Sequence, residues 1–213
     1  AWGEKLIADS HMLPAAPDDR LFIVDRDVHE VVICRSNGER IGGLGKRYAP
    51  LEPFNHPTEV AITPKGEIYV SDGYAGHSVH RFSPDGRLLR SWGSLGEEPG
   101  QFVNPHAVWV MSDGRVVIVD RENNRLQVFT PDGDLLDVWT GFRKPMDVWG
   151  DADDNLYVTD LVPTLAMLAP DGRRLGRCRP VLNGAHGIWG DKQGRLYLAE
   201  PNPSRLTRLT PID

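Results

Sequence analysis

The most informative stretch of this chain reads His-Ala-Val-Trp-Val (106–110), Gly-Arg-Val-Val-Ile-Val-Asp (114–120), Arg-Leu-Gln-Val-Phe (125–129), Thr-Pro-Asp-Gly (130–133) and Asp-Leu-Leu-Asp-Val-Trp (134–139). β-Branched and aromatic residues dominate its short runs, and such residues favour strands. Pro-Asp-Gly supplies the backbone angles of a tight reversal, so consecutive runs are predicted to pair as antiparallel hairpins. No helix-length stretch of the chain shows 3.6-residue periodicity. We therefore expect an all-β protein.

This unit occurs five times along the chain, and its turn recurs as Ser-Pro-Asp-Gly (83–86), Ala-Pro-Asp-Gly (169–172) and, more loosely, Arg-Ser-Asn-Gly (35–38). One position, which we call the slot, lies fourteen residues before an acidic residue that ends a strand-like run. The slot residues are His11, Thr58, His106, Met146 and His186, spaced by 47, 48, 40 and 40 residues. A period near forty with about four strands per unit is typical of a β-propeller blade.

We predict a β-propeller of four-stranded blades, with five blades in this chain and a single domain over residues 1–213. The predicted blades are roughly 4–45, 54–94, 102–140, 143–178 and 183–213. The last copy stops where the turn into its fourth strand should come, and Ala1-Trp2-Gly3 matches the end of a fourth strand. Either residues 1–3 close the last blade, or a further blade lies upstream. Trp109, Trp149 and Trp189, three residues past their slots, are expected to pack between blades.

The slot holds the candidate metal ligands His11, His106 and His186. Equivalent positions of a radial repeat converge on its axis, and a catalytic zinc site takes three protein ligands, often imidazoles, plus an open position. The alternative is that these histidines are polar residues that fill the channel by hydrogen bonding. The aspartates fourteen residues after the slots are expected to be structural, accepting backbone N–H groups from the loop that follows them.

Two further residues are candidate catalytic groups. Tyr74 follows a strand-ending Asp and a Gly, in the blade between two blades that carry a slot histidine, so it could lean over a metal and act as a base. Arg121 holds the corresponding place after Asp120 and could bind a substrate carboxylate through its planar fork. The alternatives are a surface tyrosine and a local ion pair with Glu122. Arg26, in the same place in the first blade, is a weaker candidate.

Composition excludes some partners. The net charge is −6 with both signs interspersed, and no Lys or Arg run provides the concentrated basic surface that phosphate binding needs, so no nucleic-acid partner is expected. Residues 1–213 contain no apolar run long enough to cross a membrane and no signal peptide, although either could lie upstream of Ala1, so no membrane association is expected and the compartment is left open. Cys34 and Cys178 lack metal-ligand spacing and are expected to be reduced and buried.

These repeats resemble NHL repeats, and within that group the chain resembles the peptidyl-α-hydroxyglycine α-amidating lyases. The similarity covers most of residues 2–140 and returns more weakly around His186. Gly-Gln-Phe followed by Pro-His and then Asp-Arg-Glu-Asn is the more specific part. The matching stretches are Phe54-Asn55-His56-Pro57-Thr58-Glu59-Val60, Val70-Ser71-Asp72-Gly73-Tyr74, Pro99-Gly100-Gln101-Phe102, Asn104-Pro105-His106, Val119-Asp120-Arg121-Glu122-Asn123-Asn124-Arg125 and Gly184-Ala185-His186-Gly187.

The resemblance implies a six-bladed propeller, of which this chain would lack the first blade. It implies a zinc ion on His11, His106 and His186, a tyrosine base at Tyr74 and an active-site arginine at Arg121. The implied reaction cleaves a carbinolamide to a peptide amide and glyoxylate.

The chain departs from the family pattern at several places. The family's first-blade arginine has no counterpart before Trp2, and Asn55 and Ala75 replace a disulfide. Gly187 replaces a calcium-binding aspartate, which argues against structural calcium. His11 lacks the usual Pro before it and Gly after it.

Three functions remain open on the sequence. The first is a zinc-dependent lyase that acts, as a monomer, on a small-molecule or peptide substrate. The second is a non-enzymatic propeller that presents its faces to a protein or peptide. The third is a lactonase or hydrolase, which acidic residues on the axis would favour; the slot supplies none.

Overall fold

The computed structural model describes residues 6–16, 18–181 and 183–211, and the predicted match at residues 1–3 lies outside them. The chain folds as an all-β propeller with five blades, each a separate antiparallel sheet. Within the described residues the helical content is one three-residue 3-10 turn, Arg26–Val28. No described helix is long and apolar enough to cross a membrane.

The strands follow one another outward from the axis in each blade, so chain order and sheet order agree. Blade 1 contains β1 (Arg20–Asp25), β2 (Glu30–Arg35) and β3 (Arg40–Gly45). Blade 2 contains β4 (Pro57–Ile62), β5 (Ile68–Asp72), β6 (Ser78–Phe82) and β7 (Leu88–Trp92). Blade 3 contains β8 (Pro105–Val110), β9 (Val116–Asp120), β10 (Arg125–Phe129) and β11 (Leu135–Trp139). Blade 4 contains β12 (Pro145–Gly150), β13 (Leu156–Asp160), β14 (Thr164–Leu168) and β15 (Arg174–Cys178). Blade 5 contains β16 (Gly187–Gly190), β17 (Leu196–Glu200) and β18 (Arg205–Leu209).

Blades 1 and 5 have three regular strands each. In blade 1 the segment 10–16 takes the innermost place, because it bridges β1 at Ser10–Asp25 and Ala15–Leu21. Its backbone also exchanges hydrogen bonds with β1, including His11 N–H to the carbonyl of Val24. His11 therefore lies on the inner edge of its blade, as the other slot residues do. Blade 5 has no outer strand among the described residues, as the repeat predicts.

Apolar clusters fill the spaces between adjacent blades and form the core. Burial is nearly complete on the middle strands and falls on the outer ones: β9 is buried throughout and β15 is exposed throughout. This gradient follows from stacking, since a blade covers the inner strands of its neighbours and leaves the rim in water. Cys34 is buried in β2, whereas Cys178 is exposed on β15, so the expectation that both cysteines are buried is wrong for Cys178.

Two of the three repeated tryptophans pack between blades as predicted. The Trp109 ring lies against Gly150 and the Trp149 ring against Gly190, so closely that a Cβ at either glycine would overlap the indole. Trp189 differs, since 55% of it is exposed. It occupies the equivalent place in blade 5, where no further described blade follows to cover it.

Candidate metal centre

Three slot residues are the extra residue of a β-bulge. In blade 3, Pro105 pairs with Asp120 and Ala107 pairs with Val119, so His106 has no partner in the ladder. The same register shift skips the slot residue in the inner strands of blades 2 and 4, namely Thr58 and Met146. A bulge takes its extra residue out of the strand's alternation and re-aims its side chain. The slot side chain therefore does not have to point to either face of its blade.

The strand-ending aspartates hold the chain as it enters each inner strand. Asp120 Oδ1 accepts the backbone N–H of Val103, three residues before the slot, at 3.1 Å. The equivalent bonds run from Ala8 to Asp25, Asn55 to Asp72 and Arg143 to Asp160, at 3.0, 2.7 and 3.2 Å. The aspartates are thus structural, as predicted. The prediction was wrong about the donors, because the N–H groups come from the loop before the slot and not from the loop that follows the aspartate. A bond in the same place of four blades sets where each slot begins.

The structure brings the three slot histidines together. The rings of His11 and His106 have centroids 5.1 Å apart, and His186 lies 4.9 Å from each of them. One nitrogen from each ring lies within 4.8 Å of the other two. Three such points lie within about 2.8 Å of a common centre, compared with zinc–nitrogen bonds of about 2.0–2.1 Å. Small side-chain rotations would therefore suffice to coordinate one ion.

Two of the histidines are oriented by backbone carbonyls of the next blade. His11 Nδ1 donates to the carbonyl of Thr58, and His106 Nδ1 donates to the carbonyl of Met146, both at 2.7 Å. A proton on Nδ1 leaves Nε2 as a lone pair, the form that binds a metal. The slots without histidine therefore contribute through their main chain. Blades 2 and 3 are linked in a similar way, since the Thr58 hydroxyl donates to the backbone carbonyl of Pro105 at 2.8 Å.

The local environment keeps all three imidazoles neutral. Burial lowers the pKa of His106 well below its ordinary value, and the adjacent His186 and His11 act in the same direction. Burial, with His11 and Arg121 nearby, lowers the pKa of His186 to about 4. Burial also lowers the pKa of His11, against an opposing effect of the Thr58 carbonyl. Metal binding near neutral pH would thus require no deprotonation of these ligands.

Tyr74 lies at the same point, with its hydroxyl 3.1 Å from His11 Nε2 and 3.2 Å from His106 Nε2. Because both histidines carry their proton on Nδ1, the two Nε2 atoms are acceptors, and the phenol has one proton to donate. The phenol can donate to only one Nε2, so the lone pair of the other Nε2 faces the phenol oxygen without a proton between them. A cation placed among these atoms would resolve the conflict, so the donor set fits a metal ion.

Two guanidinium groups stack on the Tyr74 ring. The central carbon of Arg26 lies 5.0 Å from the ring centroid and that of Arg121 lies 5.3 Å away, within cation–π range. Arg121 Nε also pairs with Glu122 at 3.0 Å, so the ion pair and the contact with Tyr74 occur together. Arg26 pairs with Asp9 and Asp27 at 2.6 and 2.9 Å. Arg26, the weaker candidate on the sequence, is as close to Tyr74 as Arg121 is.

A cavity of about 560 Å³ opens beside this group, between the first and last blades. His11, His186 and Arg26 line one side of it, and Ser204 and Arg205 line the other. Its volume falls in the range of small-molecule sites, roughly 300–1,000 Å³. A small molecule entering here would meet two of the imidazoles and a guanidinium.

Sequence reasoning missed a second group on the axis. Glu59 and Asp147, each one residue past a slot, have carboxyl groups that interact with one another; Asp147 is buried and Glu59 is half-buried. Burial raises the pKa of Glu59 well above its ordinary value and that of Asp147 to about 7. The slot supplies no acid, as noted above, but the next layer supplies two. They line a different cavity from the one beside His11, so they do not add an acid to the histidine group.

Fold and sequence together define the class of this protein: it is a β-propeller that contains NHL repeats. The NHL repeat pattern matches residues 54–82 and 102–129. A catalytically inactive virginiamycin B lyase from Staphylococcus aureus, solved with quinupristin, superposes with a TM-score of 0.74 at 18% identity, over 95% of this chain and 67% of that one. At that identity the likeness concerns the fold alone.

Among sequence relatives, the chain is similar to amidating enzymes. Peptidyl-glycine alpha-amidating monooxygenase B of Xenopus laevis is 34% identical over 137 residues, 60% of this chain and 16% of that protein. A probable peptidyl-alpha-hydroxyglycine alpha-amidating lyase of Caenorhabditis elegans is 32% identical over 61% of this chain and 39% of its own length. Human NHL repeat-containing protein 3 is 33% identical over 63% of this chain and 36% of that protein. The chain thus spans less than half the length of these relatives.

Proposed function

We propose that this protein is a zinc-dependent lyase that cleaves a carbinolamide C–N bond, giving a peptide amide and glyoxylate. The observation that carries the proposal is the meeting of three neutral imidazoles with one phenol and two guanidinium groups, of which His11, His186 and Arg26 line a cavity. The similarity to proteins named as amidating lyases and amidating monooxygenases supports the same reaction class.

In this proposal His11, His106 and His186 hold the metal. Zinc bound there supplies Lewis-acid chemistry that lowers the pKa of a coordinated hydroxyl. The carbonyls of Thr58 and Met146 keep Nε2 of His11 and His106 unprotonated and aimed at one point. All five blades therefore contribute to the ligand set: three supply a histidine side chain, and two supply a backbone carbonyl that orients one.

The substrate would be an N-acyl α-hydroxyglycine, which carries a carboxylate beside the reacting carbon. The planar forks of Arg121 and Arg26 are suited to that carboxylate, because each can donate two parallel N–H bonds. Both guanidinium groups lie over the Tyr74 ring, 5.0 and 5.3 Å from its centroid, so a carboxylate bound by them would lie beside that ring. A bound substrate would then present its hydroxyl toward Tyr74.

The base in this proposal is the phenolate form of Tyr74, which takes the proton of the α-hydroxyl and becomes a phenol. The electron pair of that O–H bond forms the carbonyl of glyoxylate, the C–N bond breaks, and the amide nitrogen takes up a proton as it leaves. The same phenol can return the proton it removed, so the reaction needs no external acid, base or oxidant. Proton transfer by a positioned side chain contributes typically 10²–10⁴-fold to a rate.

The test has two parts, metal content and glyoxylate release. The protein purified without chelator is expected to contain about one zinc per chain, and His106→Ala is expected to lose it. His77→Asn is the matched control, because His77 has a positive φ of 56° that asparagine tolerates and it lies outside the histidine group. Tyr74→Phe is expected to keep the zinc and abolish glyoxylate release from an α-hydroxyglycine peptide, whereas Tyr48→Phe, at an exposed tyrosine, keeps both. Stoichiometric zinc with no lyase activity, or no zinc at all, would reject the proposal in favour of a non-enzymatic propeller.

A further inference from the structure

A second cavity lies in the central channel, on the side of the slots toward which the inner strands run. Its volume is about 460 Å³, and its walls come from residues that follow the slot on the inner segments of all five blades. None of the three slot histidines lines it, nor does Tyr74 or either arginine of the proposed lyase centre. Its mouth includes Trp189 and Leu206, both more than half exposed. We call it the channel cavity.

Among the residues that the structure describes, Glu59 and Asp147 are the only acidic ones that line it. Asp147 is 2% exposed, and its two oxygens accept the backbone N–H groups of Ile188 and Val148, both at 2.7 Å. Glu59 Oε2 accepts the backbone N–H of Val108 at 3.1 Å. These bonds point both carboxyls into the channel and hold them there.

This pair has no cationic partner in the part of the chain that the structure describes. No ion pair there involves Glu59 or Asp147, and no Lys, Arg or His lines the channel cavity. Buried carboxyls in proteins are normally matched by a cation, since an isolated buried charge is costly. Here they are left to share protons, which agrees with the raised pKa of both groups. A positively charged ligand would supply the missing partner.

The rest of the channel cavity is apolar and aromatic. Trp109, Trp149 and Trp189 have ring centroids 6.4–6.5 Å from one another and form a single aromatic wall. Tyr197 adds a fourth ring to the lining. Indole faces attract cations, and the attraction grows when water is excluded. The partly exposed Trp189 leaves that wall accessible from solvent.

We propose that the channel cavity binds a small organic cation, an amine with an apolar body. The ammonium group would bond to Glu59 and Asp147, and the hydrocarbon part would lie against the tryptophan wall. A bare Ca²⁺ ion fits less well, because it takes six to eight oxygen ligands and the other residues of this layer, including Met12, Ala107 and Gly187, supply apolar or no side chains. Its lining includes none of the side chains proposed for the lyase centre.

The probes are cyclohexylmethylamine and its neutral counterpart cyclohexylmethanol, titrated by calorimetry and by tryptophan fluorescence at pH 8. The amine is expected to bind at least about tenfold more tightly than the alcohol, the difference that one buried charge-assisted hydrogen bond supplies. Asp147→Asn and Glu59→Gln, which keep the side-chain shape, are each expected to remove that preference. Trp189→Leu is expected to weaken both probes. Asp134→Asn, at an exposed position on the rim, is the control and should bind as the wild type does.

Several outcomes would overturn the proposal: equal binding of the two probes, amine binding that survives both carboxyl variants, or tight binding of Ca²⁺ that the amine does not displace. Thermal melting of each variant identifies loss of fold, and the two carboxyl variants provide independent tests. His106→Ala should still bind the amine. Failure of the lyase proposal and failure of this one are therefore distinguishable.

Discussion

His106 Nδ1 donates a hydrogen bond of 2.7 Å to the backbone carbonyl of Met146, the slot residue of the following blade. Met146 cannot supply a nitrogen ligand, yet its main chain orients a histidine that can. The same relationship joins His11 to Thr58. A slot without histidine can therefore be part of the metal centre. Its backbone carbonyl orients a histidine, whereas its side chain does not take part.

The first prediction concerns Met146→Leu. Because the carbonyl and not the thioether orients His106, this volume-conserving change should leave zinc affinity within about threefold of wild type and cost less than about 1.5 kcal/mol of stability. His106→Ala, by contrast, should lower zinc affinity at least about a hundredfold. Competition with a chromophoric chelator measures both. A loss of zinc in Met146→Leu as large as that in His106→Ala would contradict the orienting role of the carbonyl.

Thr58→Val tests the hydroxyl that links blades 2 and 3. The change leaves the Thr58 carbonyl in place for His11 but removes the bond to the carbonyl of Pro105. Since Thr58 is fully buried, we expect about 1–3 kcal/mol of lost stability in urea unfolding, with zinc still bound. Thr58→Ser keeps the hydroxyl and should recover most of that loss. Equal unfolding midpoints for the two variants would count against the link.

Arg26→Gln tests whether the second guanidinium on Tyr74 binds the substrate carboxylate. If it does, KM for an α-hydroxyglycine peptide should rise by about tenfold or more while zinc content stays constant, because a charge-assisted bond is lost from substrate binding. Arg121→Gln should act in the same direction. Arg87→Gln, at an exposed position, is the control. The assignment fails for Arg26 if its variant changes kcat/KM no more than Arg87→Gln does.

The interacting carboxyls of Glu59 and Asp147 predict how stability depends on pH. In the folded protein the pKa of Asp147 is raised to about 7 and that of Glu59 is raised well above its ordinary value. Carboxyls of the unfolded chain titrate near pH 4, so the contribution of the protonated pair is complete below that pH and is lost as the pH rises through the folded pKa values. Between about pH 4 and pH 8, Asp147→Asn should therefore lose less stability than wild type does as the pH rises. Taking the difference in Tm between the two proteins at each pH cancels the histidines, which both retain. A difference that does not change with pH would show that the pair is ionised in the folded state.

Gly190→Ala tests the packing of the repeated tryptophans. A Cβ at Gly190 would overlap the Trp149 ring, so overpacking should cost about 1–3 kcal/mol of unfolding free energy. Gly176→Ala is the matched control, because a Cβ at this exposed strand position meets nothing within 4 Å. Urea unfolding of both variants gives the comparison. Equal stability would mean that Trp149 moves aside without cost.

Much of the candidate centre could be read from the sequence because the protein is a repeat. Residues far apart along the chain take equivalent positions around one axis, so His11, His106 and His186 were predicted to converge from their spacing alone. Arg26 carries the same sequence signal as Arg121, a position just after a strand-ending Asp, and the structure places the two equally close to Tyr74.

Other features needed the folded chain. One is the bulge that leaves His106 without a partner in its strand, and another is the carbonyl that orients this histidine. Both depend on backbone geometry that cannot be predicted from residue type. Cys178 lies in a strand like any other, and only its outer place in the blade exposes it.

By itself, the sequence determined the all-β architecture, the five-blade period and the residues that meet at the axis, because strand patterning is local and rotational repetition converts spacing into position. Only the tertiary structure decided which pairs form across the ring. Glu59 and Asp147 belong to blades separated by another blade, and they meet only because the channel closes around them. Contacts across an axis depend on how far each inner strand leans toward it, and that distance is set by the packing of all the blades together.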